Sequence, residues 1–175
     1  NSFMGLTKGK YISIFGAVEE YKVDDAMNFS SPDYGGIIKS PMGNKFSDKF
    51  VLFSLLCQIN FVLICVDRFI IEECPVKLRF AYLQYYYCSH ILAEINRNLG
   101  TTFTINDKYI SDGFRNAMAH YKVGVALKED EIIENDLFLG LTQKFFNCDY
   151  LTLKVNVISE LTSLSHQISH LLNLR

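Results

Sequence analysis

Apolar residues recur along this chain in long helical patterns, and those patterns set the expected architecture. Between Phe50 and Val66, seventeen residues, only Ser54, Gln58 and Asn60 are polar. A helix here is apolar almost all round and belongs at the centre of a bundle. Ser47 and Asp48 can cap it, and Pro75 stops it near Glu73. The stretch approaches the length of a membrane span, but two amides would then stand at mid-membrane, which favours a core helix. A second helix is expected from Val76 to Leu99, ended by Gly100 as a C′ residue. On one side of it fall Arg79, Tyr82, Tyr86, His90, Glu94 and Arg97, and the run Tyr85-Tyr86-Tyr87 adds aromatic surface. Such a side reads as a solvated stripe edged by tyrosine, or as a surface that stacks bases and holds phosphates.

The loop 100–107 delivers Asn106 or Asp107 as the cap of a third helix. At about 100° per residue, Ile110, Phe114, Ala117, Met118 and Tyr121 share one side of that helix and face a core. Asp112, Gly113, Arg115, Asn116, Ala119 and His120 share the other. Asn116 and His120 are four apart and therefore neighbours, and Arg115 can reach over the same patch. A cation, an amide and an imidazole flanked by Gly113 and Ala119, small enough for close approach, are unusual for a merely solvated face.

Val123-Gly124-Val125 interrupts the pattern, and the acidic run Glu129-Asp130-Glu131 starts a connector. A short helix is expected over 136–146 and a last one over 150–173, with Val157, Ile158, Leu161, Leu164, Ile168, Leu171 and Leu172 as its buried stripe. Residues 1–46 hold six of the ten Gly and two of the three Pro, which predicts an irregular arm rather than part of a bundle. The chain is thus expected to comprise this arm and one compact helical domain over 47–175.

Two further constellations stand out. Asn60 and Asp67, seven apart on an otherwise apolar side, form either a satisfied buried pair or a support for the Arg/His helix. His166 and His170 have the spacing of a metal pair, but with no local carboxylate or Cys beside them they read as an exposed polar face, and no metal is expected.

Composition narrows the function classes. With 49% hydrophobic and 21% charged residues the chain is of ordinary globular make-up. A net charge of −2 excludes a broadly basic nucleic-acid-binding surface, so any RNA contact is local and brief. Five Cys with no Cys-x-x-Cys pair read as reduced core residues, hence a cytoplasmic protein. There is no phosphate-binding Gly loop and no Gly-x-Ser-x-Gly turn.

Arg115-Asn116-x-x-x-His120 resembles the Arg-x4-6-His motif, with a polar residue directly after the Arg, of the HEPN superfamily (higher eukaryotes and prokaryotes nucleotide-binding domains). The resemblance covers one helix, preceded by two helices and followed by another as in that family. It implies an all-α, up-and-down bundle of four or five helices acting as a homodimeric, metal-independent endoribonuclease without cofactor. Arg115, Asn116 and His120 would be catalytic. Arg79, Tyr82, His90, Arg97, Tyr121 and Lys122 are candidates for RNA contact, and Asn60 and Asp67 for support. RNA, not DNA or a membrane, would be the partner. A toxin or antiviral-defence role would add a cognate inhibitor protein. Tyr121-Lys122 departs from the His-x-Tyr extension of one toxin branch, so that branch's biology is not carried over. The alternative is a catalytically silent helical module for protein or nucleic-acid interaction.

Overall fold

The computed structural model describes residues 46–68, 73–120, 122–134 and 136–173. The irregular arm expected over 1–46 lies outside them, apart from Phe46. The architecture is all-α: α1 (Phe46–Phe61), α2 (Pro75–Leu99), α3 (Asp112–Ala119), a single turn α4 (Val123–Ala126), α5 (Leu137–Phe146) and α6 (Tyr150–Leu171), with no strand among the described residues. Helix α1 runs on as a π-helical stretch, Val62–Arg68.

The apolar all-round composition of α1 has the expected consequence. Leu52, Leu56, Ile59 and Ile64 are fully buried. The segment Asp48–Arg68 is long and apolar enough to cross a membrane, yet 61% of its most apolar window is buried inside the fold, as a central bundle helix requires. Helix α2 starts at Pro75, where a missing N–H costs nothing. It ends at Gly100, whose left-handed backbone (φ 67°) lets its N–H reach the Asn96 carbonyl at 3.1 Å. The Asn96 side chain then holds the turn, donating to the Phe103 carbonyl and accepting from the Phe103 N–H, both at 2.9 Å. Helix α6 packs along α2 and α1 through Leu153, Val157, Leu161, Leu164, Ile168 and Leu172, nearly the stripe its periodicity predicts.

Polar groups fasten α1 and its π-helical continuation to α6, and Asn60 and Asp67 take part in this. The Ser165 hydroxyl donates to Asn60 Oδ1 at 2.7 Å in the core, and Asp67 lies 3.9 Å from the Lys154 ammonium. Both residues therefore face α6. Glu73 accepts from Lys154 at 2.7 Å and from Lys77 at 3.1 Å, and these bonds hold its carboxyl below the usual carboxylate range.

Helix α5, capped by Asp136 through the Phe138 and Leu139 amides, approaches the connector closely at Gly140. A Cβ built there would lie 2.4 Å from the Glu131 carbonyl oxygen and 3.2 Å from Leu127 Cδ1. Propensity alone would make Ala better than Gly in a helix by about 1 kcal/mol. Backbone overlap outweighs that gain, so Gly140→Ala is expected to destabilise the fold by about 1–3 kcal/mol in urea unfolding. A stabilised variant would show that the connector does not lie on α5.

Candidate functional site

The Arg/His segment folds as the short helix α3, and its sidedness follows the sequence. Phe114, Ala117 and Met118 are buried, while Asp112, Asn116 and His120 are exposed. Its cap differs from expectation. Ser111 Oγ accepts from the Phe114 N–H at 3.2 Å, whereas Asn106 caps the preceding 3-10 turn, Asp107–Tyr109. The helix stops after Ala119, and the His120 N–H still bonds the Asn116 carbonyl at 3.1 Å, so the imidazole leaves from the last turn.

Helix α2 holds α3 at both ends. Tyr82 Oη donates to the Ser111 carbonyl at 3.1 Å and accepts from the Ser111 N–H at 3.0 Å. Tyr86 donates to Asp112 Oδ1 at 2.5 Å, and the Asp112 carboxylate raises the Tyr86 pKa. At the other end Arg79 Nε donates to the Met118 carbonyl at 2.7 Å. Tyr85 fastens the preceding loop in the same way, exchanging bonds of 2.9 and 3.1 Å with the Asn106 backbone.

This clamp corrects the reading of Tyr82 as a substrate contact. Its ring is fully buried against Phe114 and Phe146, at 4.5 and 5.7 Å, and its hydroxyl is committed to Ser111. Arg79 is likewise half-buried and committed to α3, a clamp more than a free cation. Arg97 is exposed in the last turn of α2, about 27 Å from Arg79 along the helix at 1.5 Å per residue, so the two cannot share a patch. Lys122 is exposed where α4 begins. Tyr121 lies outside the described residues.

Asn116 and His120, four residues apart at the end of α3, are both exposed, and neither side chain makes a hydrogen bond among the described residues. Arg115 leans away from them, towards α2. Its guanidinium carbon lies 5.2 Å from the centre of the Tyr86 ring, and its Nε is buried without an acceptor. The Tyr86 hydroxyl, with the Tyr87 and Asp112 side chains, raises its pKa, so the cation is permanent. His90, exposed on α2, packs on the same Tyr86 ring at 4.5 Å. Gly113 is not open to a second copy: the Phe145 ring fills its place, 2.5 Å from where a Cβ would stand. Ala119 is half-buried. His166 and His170 lie on α6, half-buried and exposed, and no third donor joins them in a cluster among the described residues.

Sequence reasoning missed the clamp because a tyrosine stripe reads alike whether water or another helix covers it. Tyr82→Phe is expected to test it, since the change strands a backbone donor and acceptor at Ser111. It should cost about 1–3 kcal/mol and speed amide exchange in α3, and unchanged exchange would show that the clamp is dispensable. Set against protein-family models, curated proteins and solved structures, the chain matches none.

Proposed function

We propose that this chain is a metal-independent endoribonuclease of HEPN type, cleaving RNA through Arg115, Asn116 and His120. The observation that carries the reading is the two-sidedness of α3. One side is locked into the core through Phe114, Ala117 and Met118, while the other exposes an amide and an imidazole on the same short helix as Arg115, whose guanidinium is turned to Tyr86. Cleavage without a metal means that the ribose 2′-OH attacks the adjacent phosphate. That step needs a base working near neutral pH and a cation for the charge that builds on the phosphorane. His120 serves as the base, Arg115 as the cation, and Asn116 orients the imidazole or holds a phosphate oxygen. The leaving 5′-oxygen needs a proton, and a second copy of the chain in a two-fold dimer would bring another His120 for it. Such an enzyme would work in the cytoplasm, with a toxin or defence role and an inhibitory partner as its biological setting.

The test is direct. Pure protein incubated with single-stranded RNA in EDTA is expected to give fragments ending in a 2′,3′-cyclic phosphate or its opened 3′-phosphate, while DNA, lacking the attacking hydroxyl, survives. Intact RNA at high enzyme concentration would retire the reading. The alternative, a silent module for protein or nucleic-acid interaction, draws on one observation: Arg115 is already engaged with Tyr86 on α2 beside Asp112, as a structural cation would be. Intact RNA would favour it.

A further inference from the structure

Tyr86 gathers three exposed or half-exposed groups from two helices. The Arg115 guanidinium lies 5.2 Å from its ring centre and the His90 ring 4.5 Å from it, so the two are within about 10 Å of each other. The Tyr87 ring meets Tyr86 edge-on, centroids 5.5 Å apart at 90°, and Tyr87 is 48% exposed, too open to be explained by the core. Tyr86 itself is 6% exposed and fixed through its bond to Asp112, so it cannot swing away with a ligand. The hub is fixed, Tyr87 and His90 are exposed beside it, and Arg115 is half-buried with its Nε covered.

We infer that Tyr87, His90 and Arg115 form a nucleotide subsite, in which one unstacked base packs on Tyr87 and His90 while its phosphate meets Arg115. The chemistry fits that class of ligand and few others. Two aromatic faces beside a guanidinium recognise a flat group joined to an anion, and base-on-aromatic stacking tolerates any of the four bases. Asp112 offsets part of the charge of Arg115, so stacking must supply much of the affinity, in keeping with a chain of net charge −2. A base can reach such a platform only when it is not stacked in a helix, so the subsite selects single-stranded over double-stranded RNA. His90 is therefore a substrate contact, standing on the α2 side of Arg115, whereas His120 leaves from the far end of α3. The inference rests on the ribonuclease reading for its substrate, but its test does not require cleavage.

The probe is a fluorescein-labelled hexanucleotide of 2′-O-methyl-uridine, which cannot be cleaved because its nucleophile is blocked, used alone and annealed to its complement. Fluorescence anisotropy is expected to show binding of the single strand and binding of the duplex at least 10-fold weaker. Tyr87→Ala and His90→Ala should each weaken the single strand roughly 10-fold, the scale of one stacked base, and Tyr87→Phe should retain it because the ring remains. Circular dichroism on each variant checks that the fold persists, and Tyr87→Phe keeps the test decisive should an alanine variant unfold. Wild-type affinity in both folded alanine variants, equal affinity for duplex, or no binding of the probe by the wild-type protein overturns the subsite. Probe binding of this pattern without cleavage of ordinary RNA leaves the subsite standing and retires the catalytic reading. Cleavage by the wild-type protein with unaltered binding in the variants does the reverse.

Discussion

The His120→Ala protein is expected to cleave RNA at least about 10²-fold more slowly than the wild type, the usual loss for a general base, while melting at the same temperature. The second half of that expectation is what the geometry adds. His120 is exposed at the end of α3, and its side chain makes no hydrogen bond among the described residues, so its removal leaves no cavity and no stranded partner. Arg115→Ala should lose rate by a comparable factor through lost charge stabilisation, but it should also melt earlier. Its guanidinium covers the Tyr86 ring, and that cover disappears with the side chain. Were both side chains simply in solvent, neither change would disturb the fold, so the two melting curves separate the structural account from the simpler one. Single-turnover rates on one labelled RNA, measured beside thermal melts, check both halves. Undiminished cleavage by His120→Ala would place any activity elsewhere and leave the interaction-module reading.

Much of the fold was legible because its signals are local. Pro75 and Gly100 bracket α2 by their own backbone chemistry, and the 3.6-residue period of Val157, Leu161, Leu164, Ile168 and Leu172 needs no partner to be read. The sidedness of α3 was legible on the same ground. What stayed hidden depends on which element covers which surface. Asn60 meets Ser165 across 105 positions, and no local pattern announces that pairing. Gly113 marks a place of close approach in either case, but whether a second copy or Phe145 fills it is a tertiary fact. Asn106 caps the 3-10 turn ahead of α3, and Ser111, five residues on and not foreseen as a cap, caps α3 itself.

The candidate site divides along the same line. The residue types of Arg115, Asn116 and His120 and their spacing follow from sequence, and so does the exposure of Asn116 and His120. The direction in which Arg115 leans does not, since a long side chain can fold back over its own helix or reach to a neighbour. It reaches to Tyr86, and that choice joins α2 to the site. His90 thereby becomes part of the same surface while Tyr82, four residues from Tyr86, is lost to the core.

Removing the ring of Phe114 should have the largest effect on stability of any change in α3. Phe114 is fully buried and meets three aromatic rings edge to face: Tyr82 at 4.5 Å, Phe146 at 5.0 Å and Phe145 at 6.0 Å. Phe114→Ala deletes the ring that joins α3 to both α2 and α5, and the surrounding rings are too stiff to collapse into the space. A cost of about 3–5 kcal/mol is expected, a large part of the roughly 5–15 kcal/mol that holds a domain of this kind together. Phe114→Leu, which keeps most of the volume, should cost less than half of that. Urea unfolding followed by far-ultraviolet circular dichroism measures both, and a loss under about 1 kcal/mol for Phe114→Ala would mean that α3 is not seated on α2 as described. The pair also separates structure from chemistry. Any cleavage lost by Phe114→Ala should return as the variant is refolded by an osmolyte, because Arg115, Asn116 and His120 are all still present. The loss in His120→Ala should not return under any folding condition, because there the reacting group itself is gone.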